Sequence, residues 1–312
     1  MGYAERTIPT QEEYAAYRQR LSNWGRWGAD DQFGTLNFIT PEVSRAAAAL
    51  VRDGRSVSCS RVFTTKAVMP NEFRNPNPAE MVVTVRPGVP GDPASGGAVD
   101  QITVSYHGLA TTHLDALCHV FALDHQIYNG RSADTIHEDG AETNSIEPWR
   151  DGIVTRGVLY DIALMRGTHV EANAPVQGWE LDDFAAQHGI TPRAGDAVLV
   201  RSGSEAFWAT QPTDHMPPRP GVGVSTLEFL HKTDAALLVW DLMESAGQGL
   251  DNPTPVHRIA IPYMGLPLLD NSDFERVSEV CASTGRYEFM FTVAPLVVHG
   301  GTGSPVNPLA TF

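Results

Sequence analysis

His113, Asp115 and His119 stand two and four residues apart in the segment Tyr106-His107-Gly108-Leu109-Ala110-Thr111-Thr112-His113-Leu114-Asp115-Ala116-Leu117-Cys118-His119. Alternate residues of an extended chain project to one side, so His113 and Asp115 face together. Imidazole nitrogen and carboxylate oxygen are the donors that zinc- and manganese-type ions accept. His119 reaches the same point only if the chain bends after Asp115, and the small apolar pair Ala116-Leu117 permits that bend. A lone H-x-D is cheap in a chain with 11 histidines, whereas H-x-D-x-x-x-H among apolar neighbours is a more informative pattern. Cys118 lies between these candidates. A catalytic thiol needs a base and an electropositive pocket, and an apolar buried cysteine is the reading favoured here.

The elements that position this cluster follow from local pattern. Thr10 to Leu21 reads as a helix, with Thr10 as its cap and Glu12 and Glu13 in the first turn. Pro41 to Val51 reads as a second, with Thr40 as N-cap and Pro41 at the first helical position. Ile102 to Tyr106 reads as the strand that delivers the histidines. Further strand-like runs are Val57–Phe63, Met81–Val85, Gly157–Ile162, Ala197–Arg201, Ala236–Trp240, Arg258–Ile261 and Phe289–Val298. Glu180–His188 and Ser272–Ser283 read as helices, the latter capped by Asn271 or Ser272. Pro70–Pro78, Pro87–Gly97 and Pro217–Val224 read as loops. No repeat, low-complexity tract or linker divides the chain, so one α/β domain over 1–312 is expected, with an N-terminal helical extension over about 1–40.

Several segments resemble a known family. The histidine cluster is similar to the H-x-G-T-H-x-D-x-x-x-H signature of the cyclase family that includes bacterial kynurenine formamidase, isatin hydrolase and a dienelactone hydrolase. Trp27-Gly28-Ala29-Asp30-Asp31-Gln32-Phe33-Gly34-Thr35-Leu36-Asn37, Tyr128-Asn129-Gly130, Thr155-Arg156-Gly157-Val158-Leu159, Gly195-Asp196-Ala197-Val198-Leu199-Val200-Arg201, Pro255-Val256-His257, Gly265-Leu266-Pro267-Leu268-Leu269-Asp270-Asn271 and the closing Gly300-Gly301-Thr302-Gly303-Ser304-Pro305-Val306-Asn307-Pro308 extend the resemblance from about Trp24 to Phe312. It implies an α/β fold of swivelling β/α/β type, with a mixed β-barrel-like core flanked by helices. It also implies metal-assisted hydrolysis of an amide, lactam or lactone and a homodimer. By resemblance His257 and Asp270 complete a second metal site. The ordinary alternatives are a hydrogen-bonded imidazole at His257 and a helix cap at Asp270-Asn271.

One departure matters. The family's first metal histidine falls on Leu109, which cannot ligate, and Thr111 stands two before His113. His107 lies further upstream. On a straight strand it would sit about 20 Å from His113, at roughly 3.3 Å per residue, unless Gly108 turns the chain back.

Composition bounds the rest. The chain has 312 residues, 42% of them hydrophobic, with 28 glycines and 22 prolines, which supports a real core joined by many turns. A formal net charge of −15 speaks against nucleic acid and against anionic membranes. Three dispersed cysteines are no disulfide framework and fit a reducing cytoplasm. No secretory signal is expected. Gly300–Ser304 lacks the lysine and helix of a phosphate-binding loop and reads as a tight loop lining a pocket. Trp24, Trp27 and Phe33 are candidates for the wall of an apolar substrate pocket.

These observations support three readings. The first is a hydrolase using a divalent zinc or manganese ion on a small-molecule substrate. Its candidate ligands are His113, Asp115, His119, His257 and Asp270, with His119 or His257 in acid–base roles. The second is a metal-free cyclase, dehydratase or hydrolase of the same fold, with Asp115 orienting His119. The third is a non-catalytic small-molecule binding protein.

Overall fold

The computed structural model describes residues 3–63, 65, 77–211, 217–245 and 248–312. Residues 70–76 of the expected Pro70–Pro78 loop lie outside the described residues. Thr10 caps the first helix, Gln11–Arg20, in a reciprocal box: its hydroxyl accepts from Glu13 N, while Glu13 Oε2 accepts from Thr10 N at 2.8 Å. Thr40 caps Pro41–Ala48, with Pro41 opening the helix. Both helices follow local signals that need no tertiary contact.

Nine strands form the main sheet: β1 (Ser56–Ser58), β2 (His113–Asp115), β3 (Ile153–Asp161), β4 (Ala197–Arg201), β5 (Leu237–Trp240), β6 (Leu268–Asp270), β7 (Glu288–Val293), β8 (Gly303–Pro305) and β9 (Leu309–Thr311). Their spatial order is β1-β9-β7-β3-β4-β5-β6-β2-β8. The centre, β3-β4-β5-β6, is parallel, and the pairings on either side of it are antiparallel. The sheet curls into a half-barrel flanked by helices. Val198, Leu199, Val200 and Leu237 to Trp240 are buried, as befits parallel strands covered on both faces. Pro305, which cannot donate to a ladder, lies on the terminal strand β8. One apolar cluster runs from Tyr14 through the sheet to Phe312. Among the described residues no helix is long and apolar enough to cross a membrane.

Four sequence expectations change. Of Val57–Phe63, only the start is strand, β1 ending at Ser58. Arg258–Ile261 is helical: His257–Ile259 forms one turn, and a wider π-type turn follows over Ala260–Met264, closed by Gly265 at φ +62°. The run is buried at Ile259, Ala260 and Ile261, and a short, fully buried apolar stretch carries no periodicity that separates strand from helix. The helix expected from Ser272 is Glu275–Thr284; Asp273 Oδ1 accepts from Glu275 N at 3.1 Å, so neither Asn271 nor Ser272 is its cap. The strand before the histidines is Gly97–Thr103. It pairs with Glu80–Arg86 in a separate hairpin whose residues are exposed throughout. The histidines therefore arrive on a loop, followed by the short β2.

Candidate active site

Strand register brings the first two elements of the site together. In β2 and β6, His113 lies directly opposite Asp270. On the other side of β2, Asp115 pairs with Gly303 of β8. Leu114, between the two candidate ligands, points into the core. After Asp115 the chain turns, with His119 N donating to Ala116 O at 3.0 Å, and the His119 ring swings back toward Asp115.

His257 enters from its helical turn. Its Nδ1 lies 2.6 Å from Glu244 Oε2, and its Nε2 lies 3.6 Å from Asp115 Oδ2 and 3.4 Å from Asp270 Oδ2. His113 Nδ1 lies 2.8 Å from Thr111 O, and its Nε2 lies 3.4 Å from Asp115 Oδ1 and 3.9 Å from Asp270 Oδ2. His119 Nε2 stands 3.9 Å from Asp115 Oδ1. That separation is too long for a hydrogen bond. His107 Nδ1 stands 3.0 Å from the same oxygen.

These contacts define an electrostatic problem. A carbonyl and a carboxylate only accept, so Nδ1 of His113 and Nδ1 of His257 carry the protons. The other nitrogen of each ring, Nε2, is turned toward carboxylate oxygens. Asp115 is fully buried, and among the described residues neither of its oxygens makes a hydrogen bond. Leaving a buried anion unpaired is costly. Ring nitrogens and carboxylate oxygens converging at 3–4 Å are donors of the kind that divalent cations accept. Among the described residues, two candidate ligand sets share Asp115: His107 with Asp115 and His119, and His113 with Asp115 and Asp270.

Charge states agree with this picture. Burial alone would raise the Asp115 carboxyl; the imidazoles of His119, His107, His257 and His113 outweigh it and hold it well below the usual range. Burial pushes His119 down to about 4, so its ring is neutral near pH 7. Burial also pulls His257 down, but Glu244, Asp270 and Asp115 override it and raise it well above its ordinary value. Without a metal ion, a proton on His257 supplies the positive charge that the cluster demands.

A cavity of about 350 Å³ opens beside the cluster. His113, His119, His257 and Asp270 line its polar side, Val120, Phe121 and Met243 its apolar side, with Thr254 and Arg258 completing the wall.

All five candidate ligands, His113, Asp115, His119, His257 and Asp270, converge. The aromatic candidates are not among the residues lining this cavity. Trp24 stacks on Tyr263, with centroids 5.6 Å apart, and its Nε1 donates to Pro262 O at 2.6 Å. Trp27 packs edge-on against Phe38. Phe33 lines a second cavity, of about 480 Å³, with Leu36, Ile39 and Trp149. Cys118 is buried, and burial pushes its thiol up to about 12, which leaves it no nucleophile near neutrality.

Sequence reasoning missed three supports. Glu244, fully buried, holds His257. Trp240 Nε1 donates to Asp270 Oδ1 at 2.5 Å and fixes that carboxylate. Asn271, at φ +56°, donates from Nδ2 to Gly108 O at 2.6 Å and to Thr111 O at 3.1 Å, clamping the loop ahead of β2. Only Asn271 had a signal: it follows Asp270 and is a residue type that tolerates positive φ.

Residues 58–245 match the family described as Putative cyclase. A crystal structure described as that of a novel cyclase superposes with a TM-score of 0.83 at 27% identity, covering 98% of this chain and 100% of that one. An isatin hydrolase bound to the product analogue thioisatinate gives a TM-score of 0.57 at 18% identity, covering 87% and 98%. Isatin hydrolase A from Ralstonia solanacearum gives 0.55 at 19% identity, covering 87% and 97%. The two isatin hydrolases share the fold. No curated protein matches the sequence.

Proposed function

Because the chain belongs to the cyclase family, an enzyme family of hydrolase and cyclase type, we propose that it is a metal-dependent hydrolase that opens a cyclic amide, a lactone or a formamide. The observation that carries this reading is the buried Asp115 carboxylate, without a hydrogen bond and faced by four imidazoles. His113, Asp115, His257 and Asp270 would hold a zinc- or manganese-type ion, their donor set being the nitrogen and oxygen mixture such ions take, with His119 kept free for acid–base work. Bound there, the ion would polarise the substrate carbonyl and lower the pKa of water.

The chain's own residues do the rest. His119, neutral and bordering the cavity, accepts a proton from the attacking water. Water oxygen adds to the carbonyl carbon, the C–N or C–O bond breaks, and the proton passes to the departing nitrogen or oxygen. The products are a carboxylate and an amine or alcohol, joined in one molecule when the substrate is a ring. Glu244 keeps the His257 ring oriented, as a carboxylate behind a histidine does. Val120, Phe121 and Met243 receive the apolar body of the substrate.

Arg258 indicates what else the substrate carries. It is exposed at the cavity wall, and its guanidinium makes no hydrogen bond or ion pair among the described residues. An anionic oxygen on the substrate, or the carboxylate being formed, would meet it there. Replacing Arg258 with Ala should raise KM for an anionic substrate about tenfold, with kcat little changed, the pattern of lost uniform binding. Equal KM values for the two proteins would remove Arg258 from recognition.

The test of the function is metal removal. Dialysis against chelator should abolish hydrolysis across a panel of lactones, cyclic amides and formamides, and Zn²⁺ or Mn²⁺ should restore it. Full turnover by the chelated protein would contradict the proposal.

A further inference from the structure

Resting on that reading, we propose that His107 is a metal ligand, supplying from outside the family's ligand spacing the imidazole that Leu109 cannot provide. A straight strand would hold His107 about 20 Å from His113; instead its Nδ1 lies 3.0 Å from Asp115 Oδ1. Gly108 makes the reversal at φ +143°, a region that disfavours residues with a side chain. Asn271 then pins both ends of the loop, through Gly108 O and Thr111 O.

The ring is held in one orientation. His107 Nε2 lies 3.2 Å from Thr302 Oγ1, and the ring stacks on His119, with centroids 3.9 Å apart and planes within 4°. Its seat depends on Gly303: a Cβ there would come within 2.9 Å of His107 Cε1 and 2.7 Å of Leu114 O. The Gly300–Ser304 loop thus backs a metal-site histidine.

The contact with Asp115 is not a hydrogen bond. His107 Nδ1 and both Asp115 oxygens are buried, and none has a hydrogen-bond partner among the described residues. With the proton on Nε2, facing Thr302 Oγ1, the tautomer that a metal at Nδ1 requires, Nδ1 is left free to ligate. Hydrogen bonding of the far ring nitrogen is how proteins fix the tautomer of a metal-binding histidine. The donor atoms of His107, Asp115 and His119 all lie within 4.8 Å of one another.

The test is calorimetric titration of the metal-free, full-length protein with Zn²⁺ alone. Elemental analysis and the visible absorption of the Co²⁺-loaded protein accompany it. His107→Ala should weaken affinity at least about 10–100-fold, the range seen even for residues one step removed from the metal. It should also change the Co²⁺ spectrum, and added imidazole should partly restore both. His107→Gln replaces it if the alanine variant fails to fold, as judged by thermal melting. His125→Ala, which removes an exposed ion pair with Asp134, should match the wild type. Wild-type affinity and an unchanged Co²⁺ spectrum in His107→Ala would overturn this inference and leave the proposed function standing. A wild-type protein that binds no Zn²⁺ would overturn both.

Discussion

Asp115→Asn should strip the protein of metal and lower turnover by about 10²–10³-fold or more, the scale of losing an electrostatic group aimed at the reacting carbonyl. The substitution keeps shape and volume and removes only charge. Four imidazoles approach this carboxylate at 3.0–3.9 Å. Asp115 is the one residue shared by the two ligand sets. An amide in its place would turn an N–H group toward the converging ring nitrogens and supply no charge to hold a cation. The variant should therefore fold, bind no Zn²⁺ in calorimetry and hydrolyse nothing. Retention of stoichiometric metal would show that the imidazoles converge for another reason.

Glu244→Gln should have the second-largest effect, although Glu244 is not among the residues lining the cavity. Glu244 Oε2 lies 2.6 Å from His257 Nδ1. Its negative charge makes the ring a better donor at Nε2 and holds Nε2 toward Asp115 and Asp270. Glutamine can still accept the proton of Nδ1, but without charge and with an amide that can turn over. Loss of such a supporting carboxylate typically costs about 10–100-fold in metal affinity or activity. Calorimetry with Zn²⁺ should show that fall, and the melting temperature of the metal-free protein should drop as well, because the buried Glu244–His257 pair is broken. Unchanged affinity would make Glu244 a packing residue only.

What could be read from the sequence was what depends on neighbours along the chain. Thr10 and Glu13 lie three apart and cap their helix as that spacing requires. His113 and Asp115 face together because alternation places them so, and the bend after Asp115 is the one that Ala116-Leu117 allowed. What could not be read came from distant partners. Whether His107 returned to the site depended on the φ of Gly108 and on a clamp from Asn271, far along the chain. Nothing in Leu242-Met243-Glu244-Ser245 announces a partner for His257. The helical turns over 257–264 were hidden because Ile259 to Met264 is buried on every side, which leaves no periodicity to read. Trp24 and Trp27 looked like pocket aromatics, but Tyr263 and Phe38 occupy them.

The central claim is that the imidazoles and carboxylates around Asp115 are gathered to grip a cation. Elemental analysis of the purified protein, paired with turnover of the same sample, tests it most directly. Zn or Mn is expected at one equivalent or more per chain, with activity proportional to metal content as chelator removes it. Activity that stays constant as metal content falls to zero would contradict it.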